Sequence, residues 1–185
     1  FEAARKRRRK VSAIHKANVL RMSDALFLRE VRKVAAEFPD IELEELIVDA
    51  TAALLLRDPT RFDVMVTGNM FGDILSDEAS ELSGSLGLAG SVMQGDTQCV
   101  AQAQHGSAPD IAGQDRANPT SLMLSAAMML DWIAAREKRP EFEQAGKAIE
   151  AAIDACLQDK TTRTRDLGGT LGTKAFTAAV VARLG

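Results

Sequence analysis

The chain has 185 residues, of which 46% are hydrophobic and 26% charged, and its formal net charge is −3. These values are ordinary for a globular domain and exclude an overall electrostatic attraction to nucleic acid or to an anionic membrane. The longest apolar run, residues 122–130, is too short to span a membrane, and the N-terminal stretch lacks the apolar core of a secretory signal. The two cysteines, Cys99 and Cys156, do not suggest a disulfide framework, so the sequence predicts a reducing, cytoplasmic setting.

The first part of the chain alternates short apolar stretches with amphipathic ones. These patterns predict strands at residues 11–14, 46–48 and 62–67, and helices at residues 2–10, 18–38, 50–57 and from Met70 onward. The basic run Arg5–Lys10 ends the first helix, where cations are favoured by the helix dipole. A nucleic-acid patch is the alternative, but aromatic residues make up only 4% of the chain and offer few stacking surfaces.

The second part of the chain begins with a glycine-rich stretch, which predicts a loop over residues 84–95. A strand is predicted at residues 100–103, a long loop at 105–118, and helices at 119–136, 140–157 and 174–184. Strands that alternate with helices are typical of α/β proteins with substantially parallel sheets. We therefore predict an α/β fold.

Three aspartates fall near the predicted carboxyl ends of two strands. Asp49 follows the apolar stretch 46–48, and Asp73 comes a few residues after the stretch 62–67. Asp77 is one helical turn beyond Asp73, so the two carboxylates repel each other unless a cation binds them. Parallel sheets place ligands at this edge, and carboxylates are ligands for Mg²⁺ or Mn²⁺. The alternative is that Asp73 caps a helix and Asp77 is solvated.

Two other motifs place polar residues where a ligand can reach them. HKAN puts Lys16 at a predicted strand-to-helix turn, where a lysine near a metal serves as an acid or base, although most such lysines are simply solvated. The loop HGSAPDIAG, residues 105–113, contains Asp110, and an acid beside a nucleotide accepts the ribose 2′-hydroxyl and repels a 2′-phosphate. The alternative is a surface loop in which Asp110 forms a turn.

Taken together, these motifs resemble those of the β-decarboxylating dehydrogenases, the isocitrate and 3-isopropylmalate dehydrogenase family. The matching segments occur in the family's order and with its spacing: HKANVL at 15–20, VDA at 48–50, VTGNMFGDILSDEAS at 66–80, GSLGLAGS at 84–91, HGSAPDIAG at 105–113, NPTS at 118–121 and DLGGTLGT at 166–173. The resemblance implies an isopropylmalate-dehydrogenase-like three-layer fold with a mixed, largely parallel sheet.

The resemblance also implies a domain organisation. Residues 1–68 match part of the central, dimerisation domain, and residues 69–185 match the C-terminal part of the large cofactor-binding domain. The N-terminal portion of the family's fold carries substrate-binding arginines and a catalytic tyrosine, and this chain contains no tyrosine. Because Phe1 already lies in helical sequence with no cap before it, we expect a fragment of a longer protein. Because the substrate-binding arginines and the tyrosine are absent, we expect this fragment to be inactive alone.

By the same resemblance, the aspartates bind a divalent metal that chelates the substrate's 2-hydroxyl and carboxylate. Asp73 is a metal ligand, Asp77 a ligand or its close support, and Asp49 a third ligand contributed across a dimer interface. Lys16 matches the lysine that shuttles protons on the C2 hydroxyl. The resemblance therefore implies a homodimer in which each active site is shared between the two chains.

The cofactor implied by the resemblance is NAD, bound together with Mg²⁺ or Mn²⁺. The matching adenosine-binding positions are His105, Gly106, Ser107, Ala108, Asp110, Ile111 and Asn118. Asp110 and Ile111 form the NAD-type pair, where relatives that use NADP carry a lysine and a tyrosine. The implied reaction is NAD-dependent oxidative decarboxylation of a 2-hydroxy diacid.

Departures from the family pattern leave the substrate and the class of subunit open. Gln102-Ala103 replaces a frequent Glu-Pro, Met93 a frequent Asn, and Ala50-Thr51 a frequent Asn-Ala. Substrates like 3-isopropylmalate, isocitrate, tartrate and malate all remain candidates. The alternative function is a noncatalytic dimerisation or regulatory subunit, which we expect to lose the metal-binding aspartates that this chain keeps.

Overall fold

The computed structural model describes residues 1–184, which fold into two compact units, Phe1–Leu82 and a second that begins at Ser83. Over these residues the helices are α1 Glu2–Arg5, α2 Ser23–Ala35, α3 Val48–Arg57, α4 Asn69–Leu82, α5 Thr120–Glu137, α6 Pro140–Gln158 and α7 Thr173–Val181. The strands are β1 Lys10–His15, β2 Glu42–Ile47, β3 Val64–Thr67, β4 Gly90–Gln94 and β5 Cys99–Ala103. The predicted α/β class is confirmed. No helix within residues 1–184 is long and apolar enough to cross a membrane.

The first unit is built around a three-stranded parallel sheet with the order β2-β1-β3. The central strand β1 is buried along Val11–Ile14, as expected for a parallel strand covered on both faces. Its register pairs His15 with Ile47 and Ile14 with Thr67. The segments that follow the three strands therefore emerge side by side at one edge of the sheet.

Several element boundaries in the first unit differ from those predicted; strand β2, for example, begins at Glu42 instead of residue 46. Helix α2 begins at Ser23 instead of residue 18, because the carbonyl of Lys16 accepts hydrogen bonds from two backbone N–H groups, of Val19 and Leu20, in a tight turn. Helix α3 already begins at Val48, so that residue is not in a strand. Helix α1 ends at Arg5, and the chain turns through Arg9 (φ 61°) before β1.

The basic run Arg5–Lys10 is largely neutralised by nearby acids. Arg5 pairs with Asp40 at 3.2 Å, and Arg7 pairs with Asp63 at 2.8 Å. The Asp63 side chain is only 2% exposed and also accepts the backbone N–H of Arg8 at 2.9 Å. These contacts join the turn after α1 to Asp63, the residue just before β3.

The second unit combines an antiparallel hairpin, β4–β5, with the helices α5, α6 and α7. A core of buried residues, including Ile153, Cys156 and Phe176, joins α6 to α7. Strand β4 was predicted to be loop, and that prediction was wrong, because β4 is specified by its pairing with β5 and not by its own short, glycine-bounded sequence. A side chain at Gly90 would place its Cβ 3.0 Å from Leu124, so the glycine allows α5 to pack closely on the hairpin.

Candidate functional site

Lys16 and Asp49 meet at the carboxyl edge of the parallel sheet. Lys16 follows β1, and Asp49 lies in the first turn of α3, which follows β2 directly. The Lys16 ammonium donates a hydrogen bond to the Asp49 carboxylate, and this bond holds the pKa of Asp49 below its ordinary value. The Asp49 side chain is 69% exposed and that of Lys16 25% exposed, so a ligand can approach the pair from solvent.

The turn that carries Lys16 is fixed by side chains on either side of it. The backbone N–H of Lys16 donates to Oδ2 of Asp24 at 2.6 Å. The N–H of Ala17 donates to Nδ1 of His15 at 3.0 Å. Asp24, in the first turn of α2, was not among the predicted site residues, because an acid at a helix start is usually only a helix-stabilising residue.

Asp73 and Asp77 lie one turn apart on α4, which begins two residues after β3 ends. Both residues are exposed. Among residues 1–184, the Asp73 carboxylate has no hydrogen-bond or ion-pair partner, although Ser76 donates to its backbone carbonyl. Two carboxylates at this spacing repel each other, which an external cation would relieve.

The donor chemistry of these aspartates fits Mg²⁺ or Mn²⁺, because both cations prefer hard carboxylate oxygens. The single chain, however, does not bring the three predicted ligands together. Within the described residues, no three His, Cys, Asp or Glu side chains form a group able to hold a metal. Asp49 pairs with Lys16 and is not joined to Asp73 and Asp77, so the predicted three-ligand site stays a prediction.

The second unit contains a pocket of about 420 Å³, which is within the range of small-molecule sites. The residues around it are Ser85, Leu86, Gly87, His105, Gly106, Ala108, Ile111, Arg116, Ala117, Asn118 and Asp166. His105, Gly106, Ala108, Ile111 and Asn118 were predicted as adenosine-binding residues, and the structure places them around one cavity. Whether that cavity binds a nucleotide stays a prediction.

Two predicted cofactor residues, Ser107 and Asp110, do not line this pocket. Asp110 lies in a short 3₁₀ turn, and its backbone carbonyl accepts a hydrogen bond from the Gln114 side chain at 2.7 Å. The left-handed backbone of Ala108 (φ 43°, ψ 61°) sets the direction of the chain into that turn. Asp110 is thus absent from the pocket wall, whereas the exposed, cationic Arg116 is part of it.

Sequence reasoning missed six residues of the pocket wall, and two of these are Ser85 and Asp166. Oδ2 of Asp166 accepts hydrogen bonds from Ser85 Oγ at 2.6 Å and from Asn118 Nδ2 at 2.9 Å. Burial opposes the charge of Asp166, but these hydrogen bonds outweigh it and hold its pKa below the ordinary value. Asp166 begins the glycine-rich motif DLGGTLGT, which gave no indication of a contact with residues so distant in sequence.

Comparison with known proteins identifies the family. Residues 1–181 match the family model described as isocitrate/isopropylmalate dehydrogenase. The chain is 50% identical over 177 residues to an isocitrate/homoisocitrate dehydrogenase of Thermus thermophilus, a match that covers 96% of this chain and 51% of the relative. It is 48% identical over 163 residues to a 3-isopropylmalate dehydrogenase of Saccharolobus solfataricus, covering 88% of this chain and 48% of the relative.

The structural comparison agrees. The crystal structure of isocitrate dehydrogenase from Methylococcus capsulatus superposes with a TM-score of 0.92 at 42% identity, covering 99% of this chain and 52% of that one. The chain therefore belongs to the isocitrate/isopropylmalate dehydrogenase family, as its motifs predicted. It spans about half the length of the curated relatives it matches.

Proposed function

We propose that this chain is the C-terminal half of a dehydrogenase that oxidatively decarboxylates a 2-hydroxy diacid, using NAD and Mg²⁺ or Mn²⁺. The observation that carries the proposal is the contact between Lys16 and Asp49 at the carboxyl edge of the parallel sheet, in a chain of this family. This edge is where α/β proteins bind ligands. The names of the relatives, an isocitrate/homoisocitrate dehydrogenase and a 3-isopropylmalate dehydrogenase, favour isocitrate, homoisocitrate and 3-isopropylmalate among the candidate substrates.

In this proposal, Lys16 moves the proton at the substrate's C2 hydroxyl. Its ammonium is held by the Asp49 carboxylate, and its backbone by Asp24, so the proton-carrying nitrogen has a defined position. Asp49, Asp73 and Asp77 supply the carboxylate oxygens for the divalent cation. When bound, that cation supplies Lewis acidity at the C2 oxygen as hydride passes to NAD and CO₂ leaves.

The pocket of the second unit is proposed to take the adenosine half of NAD. Its lining is mostly apolar or uncharged, with Asn118 and Asp166 as fixed polar groups, a composition typical of cofactor sites. Asp110 is proposed to disfavour NADP by repelling its 2′-phosphate. Because Asp110 lies outside the pocket lining, that role depends on a contact made when the cofactor is bound.

We also propose a homodimer in which Lys16 and Asp49 serve the neighbouring subunit's active site. Exposed apolar side chains on the segments that follow β1 and β3 support this association, since Met22 is 87% exposed, Met70 63% and Ile74 61%. Burying such side chains against a second chain removes apolar surface from water and favours association. Each metal site would then combine the exposed Asp73 of one subunit with the exposed Asp49 of its partner.

The alternative proposal is a noncatalytic dimerisation or regulatory subunit of such a dehydrogenase. It requires no ordered Lys16 and no metal-binding acids. The retention of Lys16 with Asp49, and of Asp73 with Asp77, favours the catalytic proposal.

A direct assay of the full-length protein separates these proposals. NADH formation and CO₂ release are measured with NAD, Mn²⁺ and each of 3-isopropylmalate, isocitrate, homoisocitrate, tartrate and malate. We expect Mn²⁺-dependent turnover with at least one of them, and none from residues 1–185 alone, which lack the family's substrate-binding arginines. A full-length protein that binds a partner dehydrogenase subunit but turns over no diacid would support the alternative.

A further inference from the structure

The cofactor pocket is organised around the carboxylate of Asp166. A single oxygen of this residue, Oδ2, accepts one hydrogen bond from Ser85 and one from Asn118. These donors are 81 and 48 residues away in the sequence, and both line the pocket. Asp166 thus links two segments of the wall that are distant in the sequence.

The contact with Asp166 determines which way the Asn118 side chain points. An ionised carboxylate only accepts hydrogen bonds, so the NH₂ group of Asn118 must face it. The Asn118 carbonyl oxygen then faces the backbone N–H of Thr120 and accepts its hydrogen bond at 3.0 Å. Asn118 is 8% exposed, so reversing its amide would leave polar groups without partners in a nearly closed space.

The contact with Ser85 extends this arrangement to the loop that follows. Ser85 Oγ donates to Asp166 and accepts the backbone N–H of Gly87 at 3.1 Å. Gly87 in turn lies against Asn118, since a Cβ on Gly87 would stand only 2.8 Å from the Asn118 Cβ. The loop and Asn118 are therefore held against each other by Asp166 on one side and by direct packing on the other.

We propose that Asp166 is a positioning residue for the dinucleotide, acting through Asn118 and through the Ser85–Gly87 loop. This role rests on the proposed function, because it takes the pocket to be the adenosine site. Asp166 would hold the wall in its binding geometry before NAD arrives, which lowers the ordering cost of binding. Loss of Asp166 should then weaken cofactor binding without slowing the chemical step.

The test compares Asp166→Ala, Asp166→Asn and Asp159→Ala in the full-length protein. Asp159 is the matched control, because it also accepts two hydrogen bonds, from the N–H and Oγ of Thr161 at 2.8 and 2.7 Å, but does not line the pocket. Calorimetric titration with NAD and with AMP measures binding directly, and steady-state kinetics separate the KM for NAD from kcat.

Asp166→Ala should raise the Kd for both NAD and AMP about tenfold, leaving kcat at saturating NAD and the KM for the diacid unchanged. Asp166→Asn should bind nearly as wild type, because the asparagine carbonyl oxygen can take the place of Oδ2 and accept both hydrogen bonds. Asp159→Ala should bind as wild type.

Three outcomes would overturn the role of Asp166. If Asp166→Ala binds NAD and AMP as tightly as wild type does, Asp166 does not position the cofactor. An Asp166→Asn variant as weak as Asp166→Ala would show that the charge matters and not the hydrogen bonds, while a matching loss in Asp159→Ala would show a general loss of stability. A wild-type protein that binds no NAD would instead overturn the proposed function, and this role with it.

Discussion

The two candidate sites differ in how complete they are within one chain. In the pocket of the second unit, the polar side chains satisfy one another: Asn118 is 8% exposed and bonded at both ends of its amide. At the sheet edge of the first unit, the exposed Asp49 carboxylate is bonded to Lys16, and the Asp73 carboxylate has no partner among residues 1–184. One site is formed in advance, whereas the other presents exposed carboxylates.

This contrast matches the different tasks proposed for the two sites. A cofactor pocket gains affinity from being formed in advance. Metal ligands must instead stay available to an ion, and carboxylates without internal partners keep their oxygens free for it. The contrast also explains why the proposed dimer concerns the first unit, where the exposed Asp73 carboxylate has no partner among residues 1–184 and can be used by a ligand from outside the chain.

The strongest test of the sheet edge removes one of the carboxylates proposed to bind the metal. In the full-length protein, Asp73→Asn should raise the Mn²⁺ concentration needed for half-maximal activity by about 100-fold. Loss of a residue that only supports a metal ligand lowers metal affinity by about 10- to 100-fold, and loss of a direct ligand should lower it at least as much. The control is Asp154→Asn, an exposed helical acid of the second unit. An unchanged Mn²⁺ requirement in Asp73→Asn would remove Asp73 from the site.

A test of cofactor choice addresses the pocket. The kcat/KM for NAD should exceed that for NADP by at least about tenfold, since an acid beside a 2′-phosphate adds like-charge repulsion. Asp110→Ala should narrow that ratio, and Asp96→Ala, at an exposed acid of the β4–β5 hairpin, should leave it unchanged. If Asp110→Ala has no effect on the ratio, the preference for NAD over NADP comes from the residues that line the pocket. Arg116 is the first of these to substitute.

Sharing of the sheet-edge site between subunits can be tested by mixing two inactive variants. Full-length Lys16→Ala and Asp73→Asn are combined under conditions that exchange subunits. With random exchange, half of the dimers are mixed, and each mixed dimer has one intact site of two, so roughly a quarter of wild-type activity should return. No recovery, with subunit exchange demonstrated independently, would mean that Lys16 and Asp73 act within the same chain.

The smallest expected effect concerns acid stability in the first unit. The hydrogen bond from Arg7 holds the pKa of Asp63 below its ordinary value. A depressed folded-state pKa contributes stability that is present above the unfolded pKa, about 3.9, and is lost as the pH falls through the folded value. Asp63→Asn should lower the thermal midpoint at neutral pH and show a smaller further fall in acid than wild type. An identical acid-induced fall in both proteins would contradict this.

The sequence predicted the α/β class and most elements because each predicted helix and strand had its own periodic pattern. It failed where structure depends on a distant partner. Strand β4 exists because β5 pairs with it. The sequence patterns also missed a local turn, in which hydrogen bonds from the Val19 and Leu20 N–H groups to the Lys16 carbonyl delay the start of α2.

The candidate sites show the same limit. Lys16 and Asp49 were identifiable because each follows a predicted strand, and the register of parallel strands brings them together. Asp166 was quoted within a matching motif but given no role, because a single acid in a glycine-rich loop has no periodicity that indicates its contacts. Its contacts with Ser85 and Asn118 become visible only in the folded structure.

The register of β1 against β2 also determines where this chain can tolerate insertions. Residues added to the exposed Pro39–Asp40 turn would lengthen a connection without changing the pairing of His15 with Ile47. A single residue inserted within β2 would instead carry Asp49 about 3.3 Å along the strand direction, or turn alternate β2 side chains to the opposite face. Either change would separate Asp49 from Lys16. Insertions and deletions should therefore be tolerated in the turns, whereas the lengths of β1 and β2 should not change by even one residue.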